Sequence, residues 1–514
     1  MDSIITDYLS SVILLGFCSS VIYLYVTTWL KLRRVQDMLR KQGIEGPSPS
    51  LFSGNLSAMK KRTVPTKEIE RGCYHDYTKY IFPYFDRWRK DYGPVYLYWM
   101  ERRPALYVTD PAIIRDISRC VSLDLGKPRH HQKGQEPLFG RGILKSNGPI
   151  WAHQRKVIAP EFYMGKVKVM VELMNEIAMK LVNSWGSMVD HQGGTAVITV
   201  DKDLMSFSAD VISRAIFGSN YATGKEIFLR LTALSKEMTA KQSFLFELPY
   251  WRFLPSKRNR VIRRLEQEIH SLILEAVQEH RERCTSLQDE DLLLSILRSD
   301  SMADQLSSDA FIVDNCKSIY LAGHETTAVN ATWCMMLLGA HPDWQARARA
   351  EVVEVCGGRM PDFKMIQMMK TLTMVIQETL RLFPPSSFVV RETFQDMKFG
   401  HLHIPKGTNL WIPISTMHHD QALWGLDADE FNPERFAGGV SGACELPQGY
   451  MPFGLGARTC VGQNLAMVEL KIFLSLILAN FTFSLSPKYC HSPSFQLTVR
   501  PEFGLPLVVK RRVN

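Results

Sequence analysis

The chain has 514 residues, of which 46% are hydrophobic and 22% are charged, and this globular composition excludes a disordered or low-complexity polypeptide. Lys and Arg (61) outnumber Asp and Glu (52), an excess that suits an anionic membrane or an acidic partner protein and is too weakly clustered for nucleic acid. The ten cysteines include no Cys-x-x-Cys, which argues against a disulfide framework or a zinc site and favours a reducing compartment.

Residues 8–30 predict a membrane anchor, because they carry no charge and a helix crosses a bilayer with about 20 apolar residues. The basic segment 31–34 follows and acidic residues lie in 1–7, so the positive-inside rule predicts a lumenal N-terminus and a cytosolic body. No signal-peptide cleavage pattern is evident, which favours an uncleaved, single-pass anchor. The alternative is a buried N-terminal helix of a soluble protein.

Residues 31–50 predict a basic helix followed by a proline-rich hinge. The charged pattern continues to about residue 45, after which Pro47 and Pro49 restrict the backbone. We expect this hinge to determine how the catalytic body, residues 51–514, sits on the membrane, although an ordinary linker has a similar composition.

The first part of the body predicts a hairpin, a long loop and a helix. Residues 94–109 alternate and are rich in β-branched and aromatic side chains, which is typical of two paired strands. Residues 122–148 are rich in Gly, Pro and basic residues, and a loop of that length is often a functional lid. Trp151 and Arg155 open the next helix and share a face that suits an anionic group, although most such pairs are packing at the edge of a core.

Amphipathic helices are expected at residues 201–218 and 224–239. The apolar, irregular residues 240–258 suit contact with the membrane, a cover over a substrate entrance, or equally a loop packed on the core.

Residues 308–340 predict one long helix that spans roughly 50 Å and ends before Pro342. Its middle contains Ala322-Gly-His-Glu-Thr-Thr327, which places a glycine, an acid and a hydroxyl in an apolar helix. Glycine alone costs about 1 kcal/mol relative to alanine in a helix. Residues that together depart from the usual propensity and apolar pattern of a helix often mark a functional site. We therefore interpret this segment as a functional site.

A further helix is expected at residues 361–383, ended by two prolines. It contains Glu378 and Arg381 at a spacing of three, which on its own is typical of a surface ion pair. Residues 401–412 show the alternation and turn of a small sheet. The segment Phe431-Asn-Pro-Glu-Arg-Phe436 follows.

The motif around which the chain is organised is Phe453-Gly-Leu-Gly-Ala-Arg-Thr-Cys-Val-Gly462. Glycines allow its backbone to approach a flat cofactor closely, and Cys460 is a candidate thiolate ligand of haem iron. A lone cysteine in such a loop is more often a small buried hydrophobe. Residues 461–480 then predict an apolar helix, and segments 495–499 and 505–509 predict a last strand pair.

The Phe-x-x-Gly-x-Arg-x-Cys-x-Gly pattern resembles the cysteine-ligand signature of the cytochromes P450. Residues 322–327, Glu378-x-x-Arg381 and 431–436 resemble the other motifs of that family, in the same order, so the resemblance covers about residues 45–510. It implies a mainly α fold with small β-sheets, preceded here by one transmembrane helix. It also implies a bound haem b with an axial thiolate.

The resemblance assigns roles residue by residue. Cys460 would bind the iron in the loop that begins at Phe453, and the haem propionates would meet Arg458, Trp151, Arg155 and Arg391. Residues 388–390 would line the substrate pocket.

On the distal helix, Gly323 would leave space for dioxygen, Thr326 would hydrogen-bond it and Glu325 would relay protons through water. His324 occupies a variable position and receives no catalytic role. The family likeness also makes Glu378, Arg381 and Arg435 a buried charge triad that locks the cysteine loop.

The intact Glu325–Thr326 pair favours monooxygenation over two alternatives, a haem isomerase or dehydratase that needs no reductase, and a non-enzymatic haem or hormone binder. No flavin or nicotinamide motif is apparent, so electrons would come from NADPH through a separate cytochrome P450 reductase. An anchored enzyme of this kind would lie in the endoplasmic reticulum membrane, facing the cytosol.

Residues 141–163, 313–320 and 373–381 are similar to a plant group that includes gibberellin-oxidising enzymes. Related members act on pentacyclic triterpenoid acids, and a sister group hydroxylates cytokinins. The resemblance implies a small, rigid and largely apolar substrate that carries a carboxylate. Four basic residues of the long loop are candidates to bind a substrate carboxylate: Arg129, His130, His131 and Lys133. The alternative is that they form part of the solvated surface.

Overall fold

The computed structural model describes residues 2–50, 53–59, 75–217, 221–239, 256–283 and 308–512. The predicted apolar segment 240–258 lies outside these residues up to position 255. The described chain is mainly helical with small sheets, which confirms that part of the predicted fold class.

The α-helices follow one another along the chain. They are α1 (Asp2–Arg40), α2 (Leu56–Met59), α3 (Thr78–Ile81), α4 (Pro83–Tyr92), α5 (Pro111–Arg119), α6 (Arg129–Phe139), α7 (Gly148–Ile158), α8 (Met164–Val169), α9 (Val171–His191), α10 (Asp201–Phe217), α11 (Tyr221–Thr239), α12 (Lys257–Arg283), α13 (Ser308–Ala340), α14 (Pro342–Cys356), α15 (Phe363–Met368), α16 (Lys370–Leu382), α17 (Ile414–His418), α18 (Gln421–Trp424), α19 (Val440–Ala443) and α20 (Gln463–Asn480).

The strands form small sheets at the edges of the helical body. They are β1 (Val95–Met100), β2 (Arg103–Val108), β3 (Leu125–Gly126), β4 (Thr195–Thr199), β5 (Phe388–Thr393), β6 (Met397–Phe399), β7 (Leu402–Ile404), β8 (Asn409–Pro413), β9 (Phe481–Leu485), β10 (Pro493–Phe495), β11 (Val499–Pro501) and β12 (Pro506–Arg511). The sheet orders are β1-β2-β8-β5-β3, β4-β12-β9, β6-β7 and β10-β11.

Several predicted elements are present close to their expected bounds. The hairpin is β1 paired antiparallel with β2, and the two amphipathic helices are α10 and α11. The long helix is α13, with the predicted ends, and α20 is the apolar helix after the cysteine loop. Periodic apolar patterns of this length are the most reliable signal in a sequence.

The predicted long loop at 122–148 is wrong, because α6 occupies eleven of its residues. The C-terminal carbonyls of α6 at Pro137 and Phe139 accept hydrogen bonds from Lys317 Nζ (3.5 Å) and Ser318 Oγ (3.2 Å) on α13. The segment is polar and contains a proline, so it has little helical pattern of its own. Its stabilising partners on α13 are remote in sequence, and a local pattern does not show them.

The single helix predicted at 361–383 is two helices, α15 and α16, separated at Met369. The Glu351 carboxylate of α14 accepts hydrogen bonds from the backbone N–H groups of Thr371 (2.6 Å) and Leu372 (2.9 Å). This side chain satisfies free donors at the start of α16, as a capping residue would.

The predicted last strand pair is also wrong. Segment 495–499 forms the hairpin of β10 and β11, whereas β12 pairs with β4 and β9. The two tail segments therefore belong to different sheets, since strand patterns show which residues are extended and not which strand each one meets.

Helix α1 continues without a break from the predicted anchor into the predicted basic helix, and it ends at Arg40. Leu39 and Ile44, which are 0% and 6% exposed, pack in the core beside β1 and β2. The segment after α1 is bonded to the body, because Leu97 N donates to Glu45 O (2.8 Å) and Asn55 Nδ2 donates to Ser48 O (3.1 Å). The proline-rich segment is therefore held against the sheet.

Among the helices of the described residues, α20 is the one long and apolar enough to cross a membrane by length and composition. It is 61% buried and lies in the main hydrophobic core with α9, α10, α13 and α16. This burial makes α20 a core helix, which starts three residues after Cys460 and so supports the cysteine loop.

Candidate active site

The cysteine loop is closed by backbone hydrogen bonds. Cys460 N donates to Phe453 O (2.8 Å), and Gly454 N donates to Met451 O (2.9 Å). Gly456 has φ +67°, and a Cβ there would lie 2.6 Å from Ser118 O, so both the turn and the close approach to α5 require glycine. The loop thus presents Cys460 immediately before α20.

The Cys460 side chain opens into a cavity of about 730 Å³ between the loop and α7. Burial by the surrounding protein raises the pKa of this thiol, whereas the backbone N–H of Gly462 and the charge of Arg155 act in the opposite direction. Donors and a cation aimed at sulfur stabilise a thiolate. The site therefore already contains the groups that a thiolate ligand needs.

Trp151 lies between two of the predicted propionate-binding arginines. The Arg458 guanidinium stacks 4.1 Å from the indole centroid, and Arg155 lies 5.9 Å from it. Arg155 Nη1 donates to Thr459 O (2.8 Å), and Arg458 donates to Ser146 O (3.1 Å) and Asn147 Oδ1 (2.9 Å). The predicted grouping of these residues with the cysteine loop is present in the structure.

Arg391 is 4% exposed, and burial lowers its pKa to about 10. Burial also lowers the pKa of Arg458 to about 9, with the charges of Arg391 and Arg155 adding to the effect. Within the described residues, neither guanidinium forms an ion pair with a carboxylate. Buried cations that repel one another are expected where an anion binds.

Lys127 is a member of this cationic cluster that the motifs did not reveal. Gly126 pairs with Glu392, so the antiparallel register places Lys127 across from Arg391. Burial and then the charges of Arg391, Lys145 and Arg458 hold the Lys127 pKa well below its usual range. Like charges opposite each other on a ladder are unfavourable unless an anion lies between them. No sequence signal marks Lys127, because its partner strand is remote.

Arg129, predicted as a candidate for a substrate carboxylate, is exposed and stacks 4.0 Å from the Phe394 ring. His130 lies beside it on α6, and the side chains of His131 and Lys133 lie outside what the structure describes. A carboxylate site formed by these four residues therefore remains a prediction.

On α13, the predicted distal motif coincides with the open face of an otherwise buried helix. Between Asn315 and Leu338, the only residues of α13 that are not fully buried are Ala322, Gly323 and Thr326. Their spacing places them on one face. These three residues therefore form the one partly exposed face of α13 between Asn315 and Leu338.

The Thr326 hydroxyl donates to the Ala322 carbonyl (2.6 Å). Its single proton is thereby used, and its oxygen remains available to accept a hydrogen bond from a molecule at the open face. His324 points away into the core, is 5% exposed and donates its Nδ1–H to Tyr320 O (2.8 Å). Burial lowers the His324 pKa to about 4, which fits a packing role.

Glu325 is 9% exposed, and its Oε1 accepts a hydrogen bond from the Thr498 hydroxyl (2.9 Å). Burial raises the pKa of this carboxyl, opposed by the Thr498 hydrogen bond and by the charge of Arg500. A raised carboxyl pKa is suited to a group that both gives and takes protons. The predicted neighbours Glu325 and Thr326 thus lie on different faces of α13.

Gly323 has a packing role that the sequence did not indicate. A Cβ at this position would lie 2.7 Å from Cγ1 and Cδ1 of Ile212, so α13 and α10 approach each other only because glycine is present. The other role predicted for Gly323, leaving space for dioxygen, remains a prediction.

Gly323→Ala is therefore expected to destabilise the fold by about 1–3 kcal/mol, because it overpacks the contact between α10 and α13. The measurement is the thermal midpoint of Gly323→Ala, Ile212→Ala and the double variant. Truncating Ile212 removes the clashing atoms, so the double variant should lose less stability than the sum of the single variants. Strictly additive losses would contradict the packing role.

The predicted triad is assembled, with Glu378 and Arg381 buried and Arg435 partly buried. Glu378 and Arg381, both 0% exposed, form a bidentate pair with N–O distances of 2.7 and 2.8 Å. Arg435 Nε lies 3.5 Å from Glu378 Oε1, and its Nη1 donates to Trp424 O (2.8 Å). Asn432 N donates to Glu378 Oε1 (2.9 Å), so the carboxylate also binds the backbone of the second motif.

His418 connects the triad to the cysteine loop. Its Nδ1 is 3.0 Å from Arg381 O, and its Nε2 accepts a hydrogen bond from Met451 N (3.0 Å). The ring stacks on Tyr450 with centroids 5.5 Å apart, and burial lowers the His418 pKa to about 3. A neutral imidazole with its proton on Nδ1 satisfies both bonds. The segment 377–382 is thereby bonded to the start of the loop.

These residues fit a haem. Cys460 would supply a soft thiolate donor at a cavity, and the cations Arg391, Arg458 and Lys127 are chemically suited to bind two propionates. The fold and this loop define a haem-thiolate protein.

Comparisons with known proteins agree. The Cytochrome P450 family model matches residues 70–506. The chain is 54% identical to Cytochrome P450 714D1 of Oryza sativa subsp. japonica, over 94% of this chain and 91% of that protein. It is 50% identical to Cytochrome P450 714C2 of the same organism (95% of each) and 42% identical to Cytochrome P450 714A2 of Arabidopsis thaliana (98% and 99%). The chain belongs to the cytochrome P450 family and is a monooxygenase of that family.

Proposed function

We propose that this protein is a membrane-anchored P450 that inserts one oxygen atom from dioxygen into a polycyclic terpenoid, in particular a gibberellin-type diterpenoid acid. The observation that carries the monooxygenase mechanism is the open face of α13, formed by Ala322, Gly323 and Thr326 within the otherwise buried residues 315–338. The substrate class rests on the likeness of residues 141–163, 313–320 and 373–381 to gibberellin-oxidising enzymes.

In this proposal, the haem-thiolate iron supplies dioxygen activation and the chain's residues supply binding and protons. Arg391, Arg458 and Trp151 would hold the propionates, and Arg155 would lie beside the thiolate of Cys460. Thr326 accepts a hydrogen bond at the open face, and Glu325 exchanges protons with water. Phe388 lies 5.0 Å from Phe82 and would form part of an aromatic pocket wall for an apolar substrate.

Electrons would come from NADPH through a separate reductase. The described sheets contain one parallel pairing, between β2 and β8, and not the doubly wound parallel sheet of a dinucleotide-binding domain. Reductase dependence also separates monooxygenation from the haem isomerase or dehydratase alternative, which would turn over without electrons.

Helix α1 supports an anchor in the endoplasmic reticulum membrane with the body in the cytosol. Ile13, Leu14, Leu15 and Phe17 are 64–67% exposed, an apolar surface that the described body does not cover. Contiguous exposed apolar side chains are typical of contact with lipid or protein. The basic residues at 31–34 lie on the side that the positive-inside rule makes cytosolic.

Thr326→Ala is expected to uncouple electron use from product formation, because it removes the acceptor at the open face. Product formed per NADPH consumed should fall roughly tenfold or more, within the range of lost proton-transfer catalysis. Thr326→Ser retains the hydroxyl and is the matched control. An unchanged ratio in Thr326→Ala would show that Thr326 does not have this role.

The substrate is tested in microsomes with added reductase and NADPH, using matched gibberellins, triterpenoid acids and cytokinins. We expect a gain of one oxygen atom on a gibberellin, read by product mass. Oxidation of only the triterpenoid acids or only the cytokinins would replace the substrate assignment and leave the mechanism intact. Product formation without reductase would contradict monooxygenation.

A further inference from the structure

The carboxyl group of Glu325 is held by the C-terminal hairpin of the chain and not by its own helix. Thr498 lies in the turn between β10 and β11, is 3% exposed, and donates its hydroxyl proton to Glu325 Oε1 (2.9 Å). In the described part of the chain, this carboxyl has no ion-pair partner. The Thr498 hydroxyl is therefore its principal hydrogen-bond donor in the protein.

The hairpin is fixed to the helical body, so the position of Thr498 is defined. Trp333 Nε1 of α13 donates to Val499 O (2.8 Å), and Val499 N donates to Pro385 O (3.3 Å). The turn itself is closed by Gln496 N, which donates to Thr498 O (3.1 Å). Two adjacent residues of the hairpin thus bind α13 at Glu325 and Trp333.

The same hairpin contributes a second influence on this acid. Arg500 lies in β11, two residues after Thr498 at the end of the turn. Burial raises the pKa of Glu325, and both Thr498 and Arg500 counteract that rise. A hydrogen bond to an ionised acceptor is among the stronger ones in proteins, and an acceptor left without it loses that stabilisation.

The hairpin also contacts the proposed substrate wall. The Phe495 ring lies 5.3 Å from Phe82, and Phe82 lies 5.0 Å from Phe388. One short hairpin therefore touches the aromatic wall at Phe495 and the acid of the distal helix at Thr498.

We propose that Thr498 is a positioning residue that orients Glu325 and favours its ionised form, and that the C-terminal hairpin thereby links the substrate pocket to proton delivery. This inference rests on the proposed role of Glu325 in the monooxygenase reaction. Thr498 itself does not contact substrate or cofactor in this scheme.

The test compares Thr498→Val with Thr498→Ser in the full-length enzyme with its reductase. Valine matches the shape of threonine but has no hydroxyl, and serine retains the donor. We expect Thr498→Val to lower product per NADPH and kcat roughly tenfold with little change in KM, and Thr498→Ser to remain near wild type. A purely structural role would change both variants alike or change KM.

A second readout does not depend on turnover. The infrared carboxylic-acid band that disappears in Glu325→Gln reports protonation of this group during a pH titration. Loss of the hydroxyl disfavours the carboxylate, so the band should appear at a higher pH in Thr498→Val than in Thr498→Ser. Arg500 is unchanged in both variants, so its charge contributes equally.

The outcomes test the role of Glu325 and the role of Thr498 separately. If Glu325→Gln leaves product per NADPH unchanged, the proposed role of Glu325 is wrong, whatever the infrared titration shows. If Glu325→Gln uncouples the enzyme but Thr498→Val equals Thr498→Ser in both coupling and titration, the positioning role of Thr498 is overturned. A shifted titration together with uncoupling supports it.

Discussion

Replacing Cys460 by alanine is expected to abolish the thiolate spectrum of the carbon-monoxide complex and all monooxygenation. The variant removes the sulfur that opens into the cavity and that the Gly462 N–H and Arg155 face. No other residue of the loop itself supplies a soft donor, because the rest of residues 453–462 are apolar, glycine, threonine or arginine. The measurement is the reduced carbon-monoxide difference spectrum of the purified variant.

Cys120→Ala is the matched control, since Cys120 lines a small cavity beside the same loop, next to Arg391 and Arg458. It should keep the thiolate spectrum, because its sulfur is not held by the loop geometry. Persistence of the thiolate spectrum in Cys460→Ala, or its loss in Cys120→Ala with Cys460 intact, would contradict the assignment of Cys460 as the ligand.

Glu378→Ala is expected to destabilise the fold by about 3–5 kcal/mol and to impair haem retention. Arg381 is 0% exposed, and the variant removes both oxygens of its bidentate partner. The buried guanidinium would lose its bidentate carboxylate and keep only its hydrogen bonds to backbone carbonyls and its contact with the Trp424 ring. Because the same helix segment is bonded through His418 to Met451, the disturbance should reach the cysteine loop.

The control is Glu434→Ala, which removes the Arg347–Glu434 pair on the surface. That pair has an N–O distance of 3.0 Å, with side chains 53% and 55% exposed, so its loss should cost about 1 kcal/mol or less. Thermal midpoints and haem content are measured for both variants. Equal losses in Glu378→Ala and Glu434→Ala would falsify the buried role of the triad.

Much of the site was predictable because its motifs are local. The tight loop around Cys460 needs glycines at fixed offsets, and the pair Glu378–Arg381 needs one face of a helix. These constraints act over a few residues, so they appear as patterns in the chain. The structure brings those residues together as expected.

Other features were hidden because their partners are distant along the chain. Lys127 joins the cationic cluster only through the register of β3 with β5, and α6 is completed by donors from α13. The break at Met369 follows from a carboxylate on α14 that binds the start of α16. No local pattern encodes these contacts.

The amino-acid sequence by itself determined the family, the cysteine loop, the long distal helix and the order of motifs, because each depends on short-range spacing and periodicity. Only the tertiary structure decided which way the side chains of the distal motif point. Thr326 lies on the open face, whereas Glu325 turns to Thr498 of the terminal hairpin and Gly323 meets Ile212. The physical reason is that burial and hydrogen-bond partners are set by helices and strands that pack together from remote parts of the chain.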